Sequence, residues 1–411
     1  MKKLILSIAI AVIGGIVTAQ ETTVNLSMGV GYETEVYYKL STETETTFSA
    51  ASWDIAFLRN DNLNHGIRIN DGIGIEVFEA SNNPSDWNSI DVANEASWTQ
   101  LYNSDTQWNI GAFMQGSATY GWGEYNPVTH HIEGSVIFVL KYADGIYRKF
   151  INEDYFGEYT FKYATWDGTN WSSDTTETVS NSGNPDNRYN YYSLQNNQEV
   201  VSEPAEADWD FVFRKYTTFL DPPGQYYAVT GTLHNSNVTV AQNEETGAPD
   251  PNELAYLEEM NTIGFDWKAF TGVWTVDNDQ KYYVKYDENT VYRLYFTDFE
   301  GSSNGNLTFV FEEVSDLLGF EDVSEEVSFG IFPNPSKDKI IQLIYDINTA
   351  SSEENYIDIY DLNGRKVFYS NASNTEGFYS KRLNLSSLQS GMYVLTFTSG
   401  SKTISKKLIL N

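Results

Sequence analysis

Few side chains here can do chemistry, and their types narrow what that chemistry is. The chain holds four histidines, His65, His130, His131 and His234, with five methionines and no cysteine. Without a thiol there is no disulfide, no thiolate metal site and no cysteine nucleophile. Imidazole and thioether groups remain as donors to a metal centre. His65, His130, His131, His234 and Met114 are therefore the candidate ligand-binding residues, with Met260 a further thioether. His130 and His131 are adjacent, just before an alternating apolar stretch from Ile132 to Leu140 that reads as one strand. If both lie on it they face opposite sides, so one metal centre could use only one of them. Taken singly, each histidine reads as a loop or surface imidazole.

Carboxylates are abundant, 57 Asp+Glu against 25 Lys+Arg for a net charge of −32. At that density acids meet by chance, so no pair is diagnostic of acid–base catalysis. No G-x-S-x-G elbow, H-E-x-x-H helix or phosphate-binding glycine loop occurs, and no ordered D-x-D-x-D-G calcium loop. The glycines of "GIGIEVF" from Gly72 alternate but run on as a strand. The chain is expected to be non-catalytic, with no resident metal. Its charge repels phosphates and excludes nucleic acid as a partner.

The elements that must position these residues are strands. Trp53, Ile55 and Phe57 alternate, as do Trp209, Phe211 and Phe213, which predicts that each trio faces a core. Asp54 and Asp210 then point away, as solvated or turn-capping carboxylates. These segments belong to an ordered series that occurs twice. Tyr37-Tyr38-Lys39-Leu40 matches Tyr191-Tyr192-Ser193-Leu194, and Trp53–Phe57 matches Trp209–Phe213. Tyr147-Arg148-Lys149-Phe150 matches Tyr292-Arg293-Leu294-Tyr295, and Gly157–Phe161 matches Gly305–Phe309. The fold class expected is mainly β: a module over 20–174, a second over 175–320, an acidic linker at 321–329 and a small β-sandwich over 330–411. One helix is expected after Asp250-Pro251-Asn252-Glu253, with Leu254, Leu257 and Met260 on one face.

Both termini carry export signals. Lys2 and Lys3 precede an apolar run ending at Val17-Thr18-Ala19, which reads as a signal peptide over 1–19. The run is short for a bilayer span, so no transmembrane segment is expected after cleavage. At the other end, Phe332-Pro333-Asn334-Pro335, the Asn363-Gly364 turn, Leu385-Ser386-Ser387-Leu388, Gly391-Met392-Tyr393 and Lys406-Lys407-Leu408-Ile409 occur in order. This series resembles the type A C-terminal sorting domain of the type IX secretion system. The sorting-signal residues are then Phe332, Pro333, Asn334, Pro335, Gly364, Gly391 and Tyr393. The resemblance implies the type IX machinery as partner and a secreted or outer-surface address. Residues 21–326 carry 14 basic and 50 acidic residues, a net charge of −36, so the acidity belongs to the cargo and not to the tail.

"WDIAF" from Trp53, "IRINDGIG" from Ile67, "DGIYRKFINEDYFGEYTFKY" from Asp144, "DWDFVF" from Asp208 and "YRLYF" from Tyr292 resemble the HmuY-like family. That resemblance implies β-rich secreted modules and haem as ligand. Propionate groups would look to Arg148, Lys149, Arg214 or Lys215. The other class expected is a carbohydrate-binding or adhesive surface protein. Its aromatic platforms would be Trp122 to Tyr125, Trp166 to Trp171 and Tyr189 to Tyr192.

Overall fold

A computed structural model describes residues 21–59, 65–182, 186–245, 247–252, 254–318, 327–347, 355–399 and 402–411. The expected signal peptide, Glu253 and linker residues 321–326 lie outside the described residues. The chain divides into two compact units, Met1–Leu318 and Gly319–Asn411.

In the first unit the alternating segments form short antiparallel strands, as β-branched and aromatic residues on a half-buried pleat should. In chain order they begin with β1 (Thr22–Ser27), β2 (Thr34–Lys39), β3 (Thr44–Ser49), β4 (Ile55–Leu58), β5 (Ile67–Ile69), β6 (Glu76–Ser81) and β7 (Thr99–Leu101). Next come β8 (Gly123–Tyr125), β9 (Ile132–Gly134), β10 (Ile137–Lys141), β11 (Tyr147–Tyr155), β12 (Glu158–Thr165), β13 (Thr175–Ser180), β14 (Tyr189–Ser193) and β15 (Gln198–Val200). The rest are β16 (Phe211–Leu220), β17 (Gln225–His234), β18 (Thr239–Glu244), β19 (Lys268–Phe270), β20 (Trp274–Val276), β21 (Gln280–Asp287), β22 (Thr290–Phe299) and β23 (Asn306–Glu313).

These strands build two lobes. Lobe A has the sheet order β13-β12-β11-β10-β6-β7 beside β15-β14-β4-β5, and lobe B has β1-β23-β22-β21-β18 beside β17-β16-β2-β3. The expected modules 20–174 and 175–320 therefore do not close on themselves. Strands β1–β3 from the first pair into lobe B, and β13–β15 from the second pair into lobe A. Pairings agree between lobes: Ile55 faces Tyr192 and Ala56 faces Tyr191 in one, Phe211 faces Tyr38 and Val212 faces Tyr37 in the other. Each lobe has its own core, around Phe57, Phe113 and Phe161 in A and Phe213, Trp267 and Phe309 in B. Each such fully buried ring is worth ~2–3 kcal/mol against exposure.

Three local expectations change. Trp53 and Trp209 leave their trios and pack, with Tyr37, Tyr191 and Met260, in a third core that joins the lobes. The ladder starts only at Ile55 and Phe211, so strict alternation does not reach the tryptophans. Asp54 and Asp210 are turn caps, but buried. Asp210 accepts from Leu40 N and Lys39 Nζ, both at 2.8 Å, and Asp54 from Gln195 N at 3.1 Å. The described residues after Asp250 do not form the expected helix: Asp250 Oδ1 accepts from Asn252 N in a turn, and Leu257 bridges to Val240 in extended form.

The second unit comprises β24 (Val327–Phe332), β25 (Ile340–Ile347), β26 (Tyr356–Asp361), β27 (Lys366–Asn371), β28 (Gly377–Asn384), β29 (Gly391–Ser399) and β30 (Lys402–Leu410). They form two sheets, β24-β25-β28 and β27-β26-β29-β30, over a core that includes Leu343, Ile359, Leu395 and Phe397. Gly364 turns the β26–β27 hairpin at φ 76°, a conformation that favours glycine. Asn334 clasps the last strand, donating to Lys407 O at 2.7 Å and accepting from Ile409 N at 2.8 Å.

Candidate functional site

A cavity in lobe A, about 420 Å³, opens between the β8–β9 hairpin and the turn after β11. It is lined by His65, Tyr120, Tyr125, His130, Ile132, Tyr155, Phe156 and Gly157. Two histidines 65 residues apart in the chain thus meet one space.

Each is held by a different device. His65 is buried, and its backbone carbonyl accepts from the Trp122 indole at 3.0 Å. Its ring lies 5.2 Å from that of Tyr120 and 5.6 Å from that of Tyr155. His130 is exposed and sits at φ 64°, where non-glycine residues are uncommon, in a loop tied by its own N–H to Asn126 O. The Tyr125 hydroxyl and His130 Nδ1 share a hydrogen bond of 2.6 Å. With the proton on Nδ1, that bond orients the ring and leaves Nε2 as the donor atom.

The expected single strand from Ile132 to Leu140 is broken at 135–136, where Ser135 N and Val136 N both donate to Trp122 O. β9 and β10 therefore separate, and β9 carries the histidine loop over the end of β11. His131 turns away from His130 and pairs with Asp154 at 2.8 Å. It also stacks flat on Phe156 at 4.6 Å, so it supports the cavity wall without lining it.

The remaining candidates are elsewhere. His234 is fully buried with Nδ1 2.9 Å from Asn235 O and Nε2 2.7 Å from Glu259 O, leaving neither nitrogen for a ligand. Burial pushes its pKa below the ordinary histidine value. Met114 packs against the lobe A core, outside the cavity lining, and Met260 is buried between the lobes. Three of the four expected propionate partners are already engaged. Arg148 stacks on Tyr142, Lys149 donates to Trp87 O at 2.8 Å, and Arg214 pairs with buried Glu35 at 3.0 Å. Among the expected aromatic platforms Trp122, Tyr189, Tyr191 and Tyr192 are buried, and Trp166 meets Trp171 edge-on at 5.2 Å. Tyr125, 45% exposed, remains open to a ligand.

Sequence reasoning named both histidines of the cavity and, in the Trp122 to Tyr125 platform, Tyr125, but missed its other two tyrosines. Tyr120 and Tyr155 sit in aromatic-rich segments where nothing distinguishes a lining ring from a core ring. A second hollow, about 380 Å³, lies between the lobes and is lined in part by Asp71, Glu76, Gln100, Tyr102, Thr217 and Tyr226. Tyr102 and Tyr226 stack there at 3.5 Å. Among the described residues no cluster of three or more His, Asp or Glu is arranged to hold a metal ion, and no helix is long and apolar enough to cross a membrane.

Residues 330–411 match the family described as the secretion system C-terminal sorting domain. A search of curated proteins returns no match to the chain. The sorting domain makes this chain a cargo of the type IX secretion system, delivered to the cell surface or beyond it.

Proposed function

We propose that the cargo is a non-catalytic ligand-binding protein whose lobe A cavity takes haem. The observation that carries this is the convergence of His65 and His130 on one tyrosine-lined space. Imidazoles are common axial donors to haem iron, and aromatic walls suit a flat macrocycle. The tandem resemblance to HmuY-like modules points to the same ligand, with the two copies exchanging their first three strands. Among the described residues no Lys or Arg lines the cavity, so the propionates would face solvent at its mouth.

Haemin titration of the purified chain tests this. A shifted Soret band is expected, weakened at least tenfold in His65→Ala/His130→Ala. No shift in the wild type, or an unchanged one in the double variant, sinks the reading. Metal-free protoporphyrin should bind more weakly than haemin, because it lacks the iron the imidazoles would hold.

A second reading, glycan binding, draws on the hollow between the lobes. Asp71, Glu76 and Gln100 offer hydrogen-bonding groups and Tyr226 a ring, the pairing that holds a sugar's hydroxyls and its apolar face. Retention on an immobilised-glycan array that drops in Tyr226→Ala supports it. Retention on no glycan removes it.

A further inference from the structure

The two lobes place corresponding elements around the end of their central hairpin. In lobe A, β8–β9 immediately precedes β10 and pairs with β11 past its bulge, Ile132 opposite Tyr155. In lobe B, β19–β20 immediately precedes β21 and packs on β22. The bulges coincide, between Asn152 and Asp154 in β11 and between Phe296 and Asp298 in β22. Counting from them, Tyr155 and Phe299 hold the same position.

Around Tyr155 lies the cavity. Around Phe299 the space is filled. Trp274 meets the Phe299 ring edge-on at 4.8 Å. Trp267 stacks on Phe296 at 3.7 Å and touches Phe299 edge-on at 5.6 Å. Lys268 Nζ reaches 4.8 Å from the same ring. A Cβ on Gly301 would stand 2.2 Å from Trp274 Nε1, so the indole is seated in a notch only glycine leaves.

The hairpin loops explain the difference. Six residues, 126–131, join β8 to β9 and carry His130 and His131 outward. Three residues, 271–273, join β19 to β20, where Thr271 N donates to Val273 O. That tight turn keeps Phe270 and Trp274 side by side at 5.1 Å, with Phe270 63% exposed and Trp274 37% exposed, one edge of its indole set against Phe299 and Gly301.

We infer that the Lys268–Val276 segment is a built-in plug, occupying in lobe B the place a ligand takes in lobe A, so that the chain has one such binding pocket and not two. The inference rests on the cavity reading above for its ligand, but not for its geometry.

Haemin titration of the full chain should break at one equivalent and lose that equivalent in His65→Ala/His130→Ala. A break at two equivalents, or one equivalent surviving in the double variant, overturns the plug. The neutral fluorescent probe N-phenyl-1-naphthylamine gives a readout independent of haem, and its neutrality avoids repulsion by the acidic cargo. Trp274→Ala should bind one equivalent more of this probe than wild type. Trp274→Leu replaces it if the far-UV circular dichroism of the alanine variant departs from wild type. Equal probe stoichiometry in wild type and variant overturns the plug. If haemin does not bind while Trp274→Ala gains a probe site, the haem reading fails and the plug stands.

Discussion

Glu203 is enclosed in the core the lobes share, accepting from Tyr189 N at 2.7 Å and the Tyr191 hydroxyl at 3.0 Å. Burial dominates over these bonds and over nearby Arg188, pushing its carboxyl up to about 7. The folded state therefore keeps the proton more tightly than the unfolded chain does. The stability this contributes is complete below the ordinary glutamate value and is lost as pH rises toward 7. Glu203→Gln should flatten the difference in urea stability between pH 5 and pH 8 by about 2–3 kcal/mol. An unchanged pH dependence refutes the assignment. At this scale the sequence separated residue types but not their duties. His65 and His234 both lie beyond a Trp-Asp strand, yet one lines the cavity and the other is buried with a backbone carbonyl against each ring nitrogen. That difference comes from chain segments packing over them, which local sequence does not encode.

Among elements, the Trp-Asp strands and their caps bind the exchanged arms. Asp210 ties Lys39 and Leu40 of the first arm to β16, and Tyr286 donates to the same carboxylate. Asp210→Ala leaves Leu40 N and the mostly buried Lys39 unpaired, and should cost about 3 kcal/mol in chemical denaturation. A loss under 1 kcal/mol would show that the cap does not hold the arm. The cavity hairpin has its own constraint. A Cβ at Gly134 would lie 1.8 Å from Asn152 O, where β9 crosses the bulge of β11. Gly134→Ala should lower thermal stability by about 1–3 kcal/mol and weaken haemin binding, since β9 leads directly from His130 and His131. Haemin affinity equal to wild type would separate the hairpin from the site. Strand periods and the Asn363-Gly364 turn were legible from local alternation. The expected helix at 250–260 was not realised, because Leu257 is recruited as an extended partner of Val240 by a strand nearly twenty residues away.

The whole molecule combines an acidic cargo with a near-neutral tail. At −36 over residues 21–326 the cargo repels itself, and that repulsion is screened within about 10 Å at 0.1 M salt. Raising sodium chloride from about 10 mM to about 500 mM should raise the melting temperature by several degrees. A flat or falling melting curve argues that paired charges cancel the field locally. Truncation after Leu318 removes the sorting domain while leaving the first compact unit whole. The shortened chain should keep the wild-type cargo circular dichroism and remain cell-associated in the periplasm, with none in the culture medium or on the surface. Export of the truncated chain would remove the tail's role as the signal.

The sequence by itself determined the strand content, the export tail and the short list of histidines and methionines to be placed, because periodicity, turn chemistry and residue type are local properties. Only the tertiary structure decided which strands share a sheet, that the two halves exchange their arms, and that His65 and His130 meet while His131 and His234 do not. Those outcomes depend on pairing between segments up to about 290 residues apart, such as Thr22 opposite Phe311. Alternation shows only that a strand wants a partner and a buried face. The choice of partner follows from how all the faces are buried together.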